Sequence, residues 1–261
     1  MSKGFDCATP LTAKTAALFV DQGYKFVGRY LAEVGSWKRM SPAEANLITA
    51  VGLYIVSFFE RNEDRVKGGA AAGTEDGKQA IRLAREVGQP VGTVIYAAVD
   101  YDAQPAEYGV IEAYMRAFDA EIVGYELGVY GSYSVVKAMH ERGVAKKLMQ
   151  TYAWSRGKVF EQNSIYQYEN DVTVNGIGID RNESNGDAGG WKVGMAIKQQ
   201  ATLDSGVANT IINTWIKPDW KHAEESKVGA SENTVIALKD QQKYYNWLSN
   251  QLRKASGQPE E

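Results

Sequence analysis

Histidine and cysteine are nearly absent from these 261 residues. His140 and His222 are the two histidines, which leaves a Ser-His-Asp triad or a His-rich metal site little to draw on. Cys7 is the one cysteine, so no internal disulfide can form and the redox compartment stays open. No apolar run approaches the ~18 residues of a membrane span. The formal charge is only −3 and no basic cluster with interleaved aromatics stands out, so nucleic acid is not an expected partner. Nucleotide-phosphate signatures are missing as well. No Gly-rich turn follows the first strand-like run, and "AGTEDGKQ" has Ala72 where the first phosphate-loop glycine belongs and Gln79 after Lys78. No cofactor and no metal are expected. The opening "MSKGFDCATP" lacks the apolar core of a secretory signal, which points to a soluble product that is cytoplasmic as synthesised.

What the chain does have is a succession of strand-like runs, most followed by a helical or turn-rich stretch. They are "KGFDCA", "KFVGRYL", "LYIVSFFE", "IYAAVDYD", "ELGVYGS", "KLMQTYAWS", "SIYQYEN" and "VNGIGIDRN". Between them, "SPAEANLITAVG" has Ser41 as a helix cap and Pro42 in its first turn, and "TEDGKQAIRLAREVG" closes on Gly88. Strands alternating with helices imply an α/β fold of parallel βαβ units. Eight units predict a (β/α)8 TIM-type barrel whose late units are short, with a doubly wound open sheet as the alternative. We expect the barrel to span residues 1–184, with strand four at Thr93–Val99. Residues 185–261 then form a C-terminal extension. It starts with the Gly/Asn-rich linker "NESNGDAGGWK", and "DSGVANTIINTWIKPDW" reads as a short helix ended by Pro218. A long aromatic helix from about Ser231 to Arg253 follows, packed on the barrel through Leu238, Tyr245, Leu248 and Leu252. Tyr244, Tyr245 and Trp247 on that helix raise a second possibility, contact with a wall or partner.

Acids punctuate the strand ends. Asp6 ends the first, Glu60 the third, Asp100 and Asp102 the fourth and Asp180 the eighth. Strand alternation puts Tyr96, Ala98, Asp100 and Asp102 on one face, and barrel closure brings Asp6 beside Asp180. A single Asp in such a place is more often a turn or cap residue, but four converging on one mouth are harder to explain that way. Converging carboxyls suit glycoside hydrolysis, where one must stay protonated and another charged. A D-x-D pair also suits Mg²⁺ or Mn²⁺ in sugar-nucleotide transfer, a reading without a nucleotide-binding segment to support it. Cys7 falls on the helix-facing side of strand one, as a core residue. Tyr96, Tyr152, Trp154 and Tyr168 are aromatic candidates for stacking on sugar rings.

Together, "GFDCATPLT", "KFVGRYL", "IYAAVDYD", "GVYGSY", "TYAWSRG", "IYQY" and "GIDRN" resemble the bacterial glycoside-hydrolase-like domain that is distantly related to family-25 lysozymes. The resemblance covers about residues 3 to 182 and keeps the motifs in order. It implies a TIM-type barrel with a cell-wall glycan, peptidoglycan or a related polysaccharide, as the partner. Asp6, Asp100 and Asp180 match the family's acids, and Asp102 stands where the lysozymes place the Glu that serves as general acid. On that basis Asp102 is the acid and Asp100 a charged partner, while Asp6 and Asp180 position or stabilise the sugar. Glu60, Tyr96, Tyr152, Trp154 and Gln167 are the expected substrate-binding residues. The alternative is a catalytically silent glycan-binding or cell-wall-associated module. A lysin released to act on the wall would fit the absence of a signal as well as a cytoplasmic protein does.

Overall fold

Runs rich in Val, Ile, Phe and Tyr form the strands, because branched and aromatic side chains fit a pleated, buried surface. In the computed structural model, which describes residues 1–196 and 203–260, they are β1 (Ser2–Asp6), β2 (Phe26–Leu31), β3 (Tyr54–Phe59), β4 (Val94–Ala98), β5 (Glu126–Gly131), β6 (Lys147–Gln150), β7 (Ile165–Val174) and β8 (Ile177–Ser184). The connecting helices are α1 (Ala13–Asp21), α2 (Pro42–Ala50), α3 (Gly69–Glu86), α4 (Tyr108–Glu121) and α5 (Tyr133–Glu141). Their ends carry the expected chemistry. The Ser41 hydroxyl accepts from Glu44 N at 3.1 Å with Pro42 behind it, and Gly88 takes a φ of +78° just past α3. No helix stands between β6 and β7 or between β7 and β8.

The eight strands close into a barrel in sequence order. Six interfaces, from β1–β2 to β6–β7, are parallel, but β8 runs antiparallel to both β7 and β1. The expectation of an all-parallel barrel is therefore corrected at its last strand. Only Asn175 and Gly176 separate β7 from β8, with φ of +53° and +80°. A two-residue Asn-Gly turn makes a hairpin, whereas a parallel crossover needs a dozen residues or more.

Side chains sort into two apolar groups. Phe5, Val27, Ile55, Ile95 and Val129 point outward and pack with the helices. Phe26, Val56, Phe58, Tyr96, Met149 and Ile165 fill the barrel interior. The segment after β8 belongs to this body: the chain divides into two compact units, Met1–Ile197 and Lys198–Glu261. The β3–β4 ladder begins at Ser57, leaving the backbone of Ile55 to find another partner. Trp191 supplies it, with reciprocal 2.8 Å hydrogen bonds to Ile55, and its indole Nε1 donates to Ser57 Oγ at 2.9 Å. What reads in the sequence as a Gly/Asn-rich linker is thus partly a buried closure.

The second unit holds α6 (Ser205–Ile211), a π-helical segment (Ile212–Ile216), α7 (Lys217–Glu225) and α8 (Glu232–Ala255). Pro218 does not end the helix as expected. It sits in the first turn of α7, where its missing N–H costs little, and the preceding π turn absorbs the change of register. Helix α8 starts at the Ser231 cap as expected and finds packing partners within this unit, on α6, α7 and the π segment. Among the described residues no helix is long and apolar enough to cross a membrane.

Trp191 gives the closure a test. Trp191→Ala should lower the unfolding free energy by ~3–5 kcal/mol, the usual cost of emptying a buried aromatic site, measured by urea denaturation. A loss below about 1 kcal/mol, the level of a surface change, would show that this segment does not hold the barrel shut.

Candidate active site

The hairpin that reverses β8 also delivers Asp180. Because β8 enters the barrel at the end where β1 leaves it, the fourth residue of β8 pairs in register with the last residue of β1, Asp6. The two carboxyls share one donor: Gln167 Nε2 on β7 lies 3.1 Å from Asp6 Oδ2 and 3.1 Å from Asp180 Oδ2. Asn182 Nδ2 adds a 2.8 Å bond to the same Asp6 oxygen, and Asp171 N donates to Asp180 Oδ1 at 2.8 Å. Room for Asp6 comes from β2. A Cβ on Gly28 would lie 2.7 Å from the Asp6 Cβ and 2.5 Å from the Phe58 ring.

Two carboxyls this close and this dry cannot both ionise at low cost. Burial first, and then the charge of Asp180, push Asp6 up to about 7, against the pull of the Asn182 and Gln167 amides. Asp180 is only half-buried and is raised chiefly by desolvation, while the Asp171 N–H opposes the shift. Asp6 therefore tends to keep a proton up to about pH 7, beside a second carboxyl that is also raised.

Asp100 lies two residues beyond β4 and is half-buried. Burial, followed by the charges of Glu60 and Glu63, raises it to about 6, and Lys38 works against them. Glu60, just past β3, is held by Lys38 at 2.7 Å, and the same ammonium sits 4.8 Å from the centre of the Tyr30 ring. The Tyr30 and Tyr130 phenols are raised well above their usual range, mainly by burial and then by neighbours that include Asp6, Asp100 and Asp180. They are neutral hydroxyls among acids, and the reading of the sequence passed over both. Period-two alternation inward from Gly28 would have pointed to Tyr30.

Outside this cluster three expectations change. Asp102 was expected to share a strand face with Asp100, but β4 stops at Ala98, so the alternation does not extend to it. Its side chain is exposed in the loop after β4, 3.5 Å from Arg156 Nη2. Tyr96 was expected to stack on substrate. It is fully buried in the barrel interior, its hydroxyl donating to Ala188 O at 3.0 Å. Tyr152 and Trp154 are loop residues rather than strand residues, because β6 ends at Gln150. Both still present aromatic surface to solvent at 52% and 37% exposure, and Tyr152 N donates to Gln167 Oε1 at 3.2 Å. Gln167 therefore ties that loop to the carboxyl pair.

The loop after β1 is pinned from outside. Arg29 on β2 is fully buried and pairs with Glu44 of α2, Nε to Oε1 at 2.8 Å. Its Nη1 donates to Cys7 O and, at 3.1 Å, to Ala8 O, while Glu44 Oε1 accepts from Leu11 N at 2.8 Å. The Cys7 thiol is pushed up to about 12, mainly by burial, so it is a core group and not a nucleophile.

The model of the Rv2525c-like, glycoside hydrolase-like domain matches residues 16–184. The chain belongs to this family. The protein YbfG of Bacillus subtilis is 30% identical to this chain over 171 residues, covering 54% of this chain and 22% of YbfG. This chain thus spans about a quarter of the length of the curated relatives it matches. The Tat-secreted protein Rv2525c of Mycobacterium tuberculosis superposes with a TM-score of 0.66 at 24% identity, covering 73% of this chain and 98% of that one. GHIP, a glycosyl hydrolase 25 of Streptococcus pneumoniae, superposes at 0.50 with 11% identity, covering 71% and 87%. At these identities the likeness is one of fold, and the Rv2525c-like barrel shares that fold with family 25.

The raised carboxyls predict a pH signature. Folding raises Asp6 and Asp100 from 3.8 to about 7 and about 6, so the folded chain keeps protons that the unfolded chain releases. Their contribution to stability is full below about pH 4 and is lost as pH rises through the folded values. Asp6→Asn removes the largest part, so its stability relative to wild type should grow between about pH 4 and 7 and then level off. Urea unfolding of both proteins across that range checks this. A wild-type minus variant difference that is flat or of opposite slope would rule out a proton on the pair.

Proposed function

We propose that this barrel is a glycosidase acting on peptidoglycan or a related β-linked cell-wall polysaccharide, with Asp100 as the proton donor. One observation carries the reading: Asp100 is a half-buried carboxyl raised to about 6, near enough to Asp180 to feel its charge. Asp100 gives its proton to the glycosidic oxygen, the C–O bond breaks with its electrons going to that oxygen, and positive charge develops at the anomeric carbon. Asp180, the less buried of the pair, carries the negative charge that faces the cation, while Asp6 keeps its proton. Water then adds to the carbon and its released proton returns to Asp100. Tyr152 and Trp154 offer stacking surface at the rim.

This moves the acid from Asp102, where the family comparison of sequence put it, to Asp100. Asp102 is exposed and paired with Arg156, whereas Asp100 is half-buried. The same pair supports a second reading, a silent glycan-binding module in which Asp102 has taken the place of the catalytic Glu.

Paired assays on purified walls separate the readings. Asp100→Asn should reduce release of reducing ends by about 10²–10⁴-fold, the usual worth of a general acid, while wall binding stays within about twofold. Asp102→Asn should lose less than about tenfold. Turnover should fall as pH rises through about 6, as Asp100 loses its proton. If Asp102→Asn abolishes release and Asp100→Asn does not, the donor is Asp102. Wall binding with no sugar released at any pH leaves only the silent module.

A further inference from the structure

The second compact unit carries a groove that the barrel chemistry does not use. The π turn ahead of Pro218 widens the helix just before α7, a distortion often found where helices build binding sites. Ile216 and Trp220, four residues apart, line the α7 side, and Ser249 and Asn246 of α8 face them. The space between is about 560 Å³. That is within the ~300–1,000 Å³ of organic-ligand sites and far more than an inorganic ion fills.

Charge at the groove is one-sided. Lys217 and Lys221, one helical turn apart, and Arg253 from α8 all line it, and none of its described lining residues is a carboxylate. Lys221 has an exposed ion pair with Glu225 at 3.7 Å, and Arg253 Nη1 donates to Asn250 Oδ1 at 3.2 Å. In the groove wall, the Trp220 indole N–H is buried and has no acceptor among the described residues. An apolar indole wall beside a pair of ammonium groups calls for a ligand with a flat apolar face and an anionic group.

We infer that this groove binds an acidic saccharide, whose ring lies along the Trp220 wall and whose carboxylate or phosphate meets Lys217 and Lys221. The choice of a saccharide over other anionic partners rests on the reading of the barrel as a cell-wall glycan module. The ammonium pair selects for the acidic group, and the indole selects for the pyranose ring.

The test titrates the full chain with N-acetylmuramic acid, N-acetylglucosamine and inorganic phosphate, following the indole N–H resonances by NMR, with Trp220→Phe assigning the Trp220 signal. N-acetylmuramic acid should shift that signal, and N-acetylglucosamine, which lacks the carboxylate, should bind at least tenfold more weakly. Lys217→Ala/Lys221→Ala should weaken the acidic sugar by at least tenfold, and Lys217→Arg/Lys221→Arg should restore most of it. Equal response to the neutral sugar, phosphate binding as tightly as the acidic sugar, or an unaffected double alanine variant would each overturn the inference. So would preferential capture by vesicles containing phosphatidylglycerol, lost in the same double variant, which would assign the groove to a lipid surface. The Asp100→Asn protein, titrated in parallel, should keep the Trp220 response. If the wild type binds the acidic sugar here yet releases no sugar from walls, the glycosidase reading fails and the groove inference stands.

Discussion

A single amide group, the Nε2 of Gln167, holds the chemistry of this barrel together. It donates toward an oxygen of Asp6 and an oxygen of Asp180, so two carboxyls from the first and last strands are kept side by side in a nearly dry site. That arrangement fixes the protonation state, because like charges at this separation away from water are expensive. It also fixes the geometry of the mouth. Through its Oε1, Gln167 takes a hydrogen bond from Tyr152 N, which couples the aromatic rim loop to the acids. The Asn-Gly hairpin between β7 and β8 sets the register, in which the reversed β8 pairs Asp180 with Asp6 and lies beside Gln167 on β7.

Other parts of the barrel hold that site in place from below and from the side. The Arg29–Glu44 pair is almost wholly withdrawn from water, so its worth lies in the number of hydrogen bonds it satisfies. Besides each other, the two side chains bond the backbone of Cys7, Ala8 and Leu11, which sets the chain leaving Asp6. Removing either partner would strand a buried charge, and so the pair specifies one loop conformation more than it adds net stability. Beneath the acids, the Tyr96 hydroxyl and the Trp191 indole tie the segment after β8 to β3 and β4. The barrel is thereby closed at one end and open at the other, where the acids sit.

Much of this was legible in the sequence, because the signals were local. Strand-forming residues, Ser41 with Pro42, and Gly88 each act within a turn or two of chain, and they marked elements that the structure contains. Asp6, Asp100 and Asp180 were recognisable because a carboxylate after an apolar strand is costly unless something uses it. Two errors came from carrying a local rule too far. Alternation was extended past Ala98, where the strand had already ended, and that gave Asp102 a strand face it does not have. Tyr96 was read as a mouth residue because alternation says which face a side chain takes, not how deep it lies. The Asn175–Gly176 turn was a local signal too, overlooked because the repeating pattern suggested another parallel unit.

By itself, the sequence determined which segments become strands and helices, the order of strands around the barrel, and the set of acids available at its mouth. Each of these follows from side-chain preference, hydrophobic period or the sequence order of neighbouring units. Tertiary structure decided which acid keeps a proton, because desolvation and neighbouring charge come from residues distant in sequence: Asp180 beside Asp6, and Glu60 and Glu63 near Asp100. It likewise decided that Trp191 closes the barrel and that Lys217, Lys221 and Trp220 share one groove with α8. Free backbone groups and unmatched charges find their partners only when the chain has brought remote segments together.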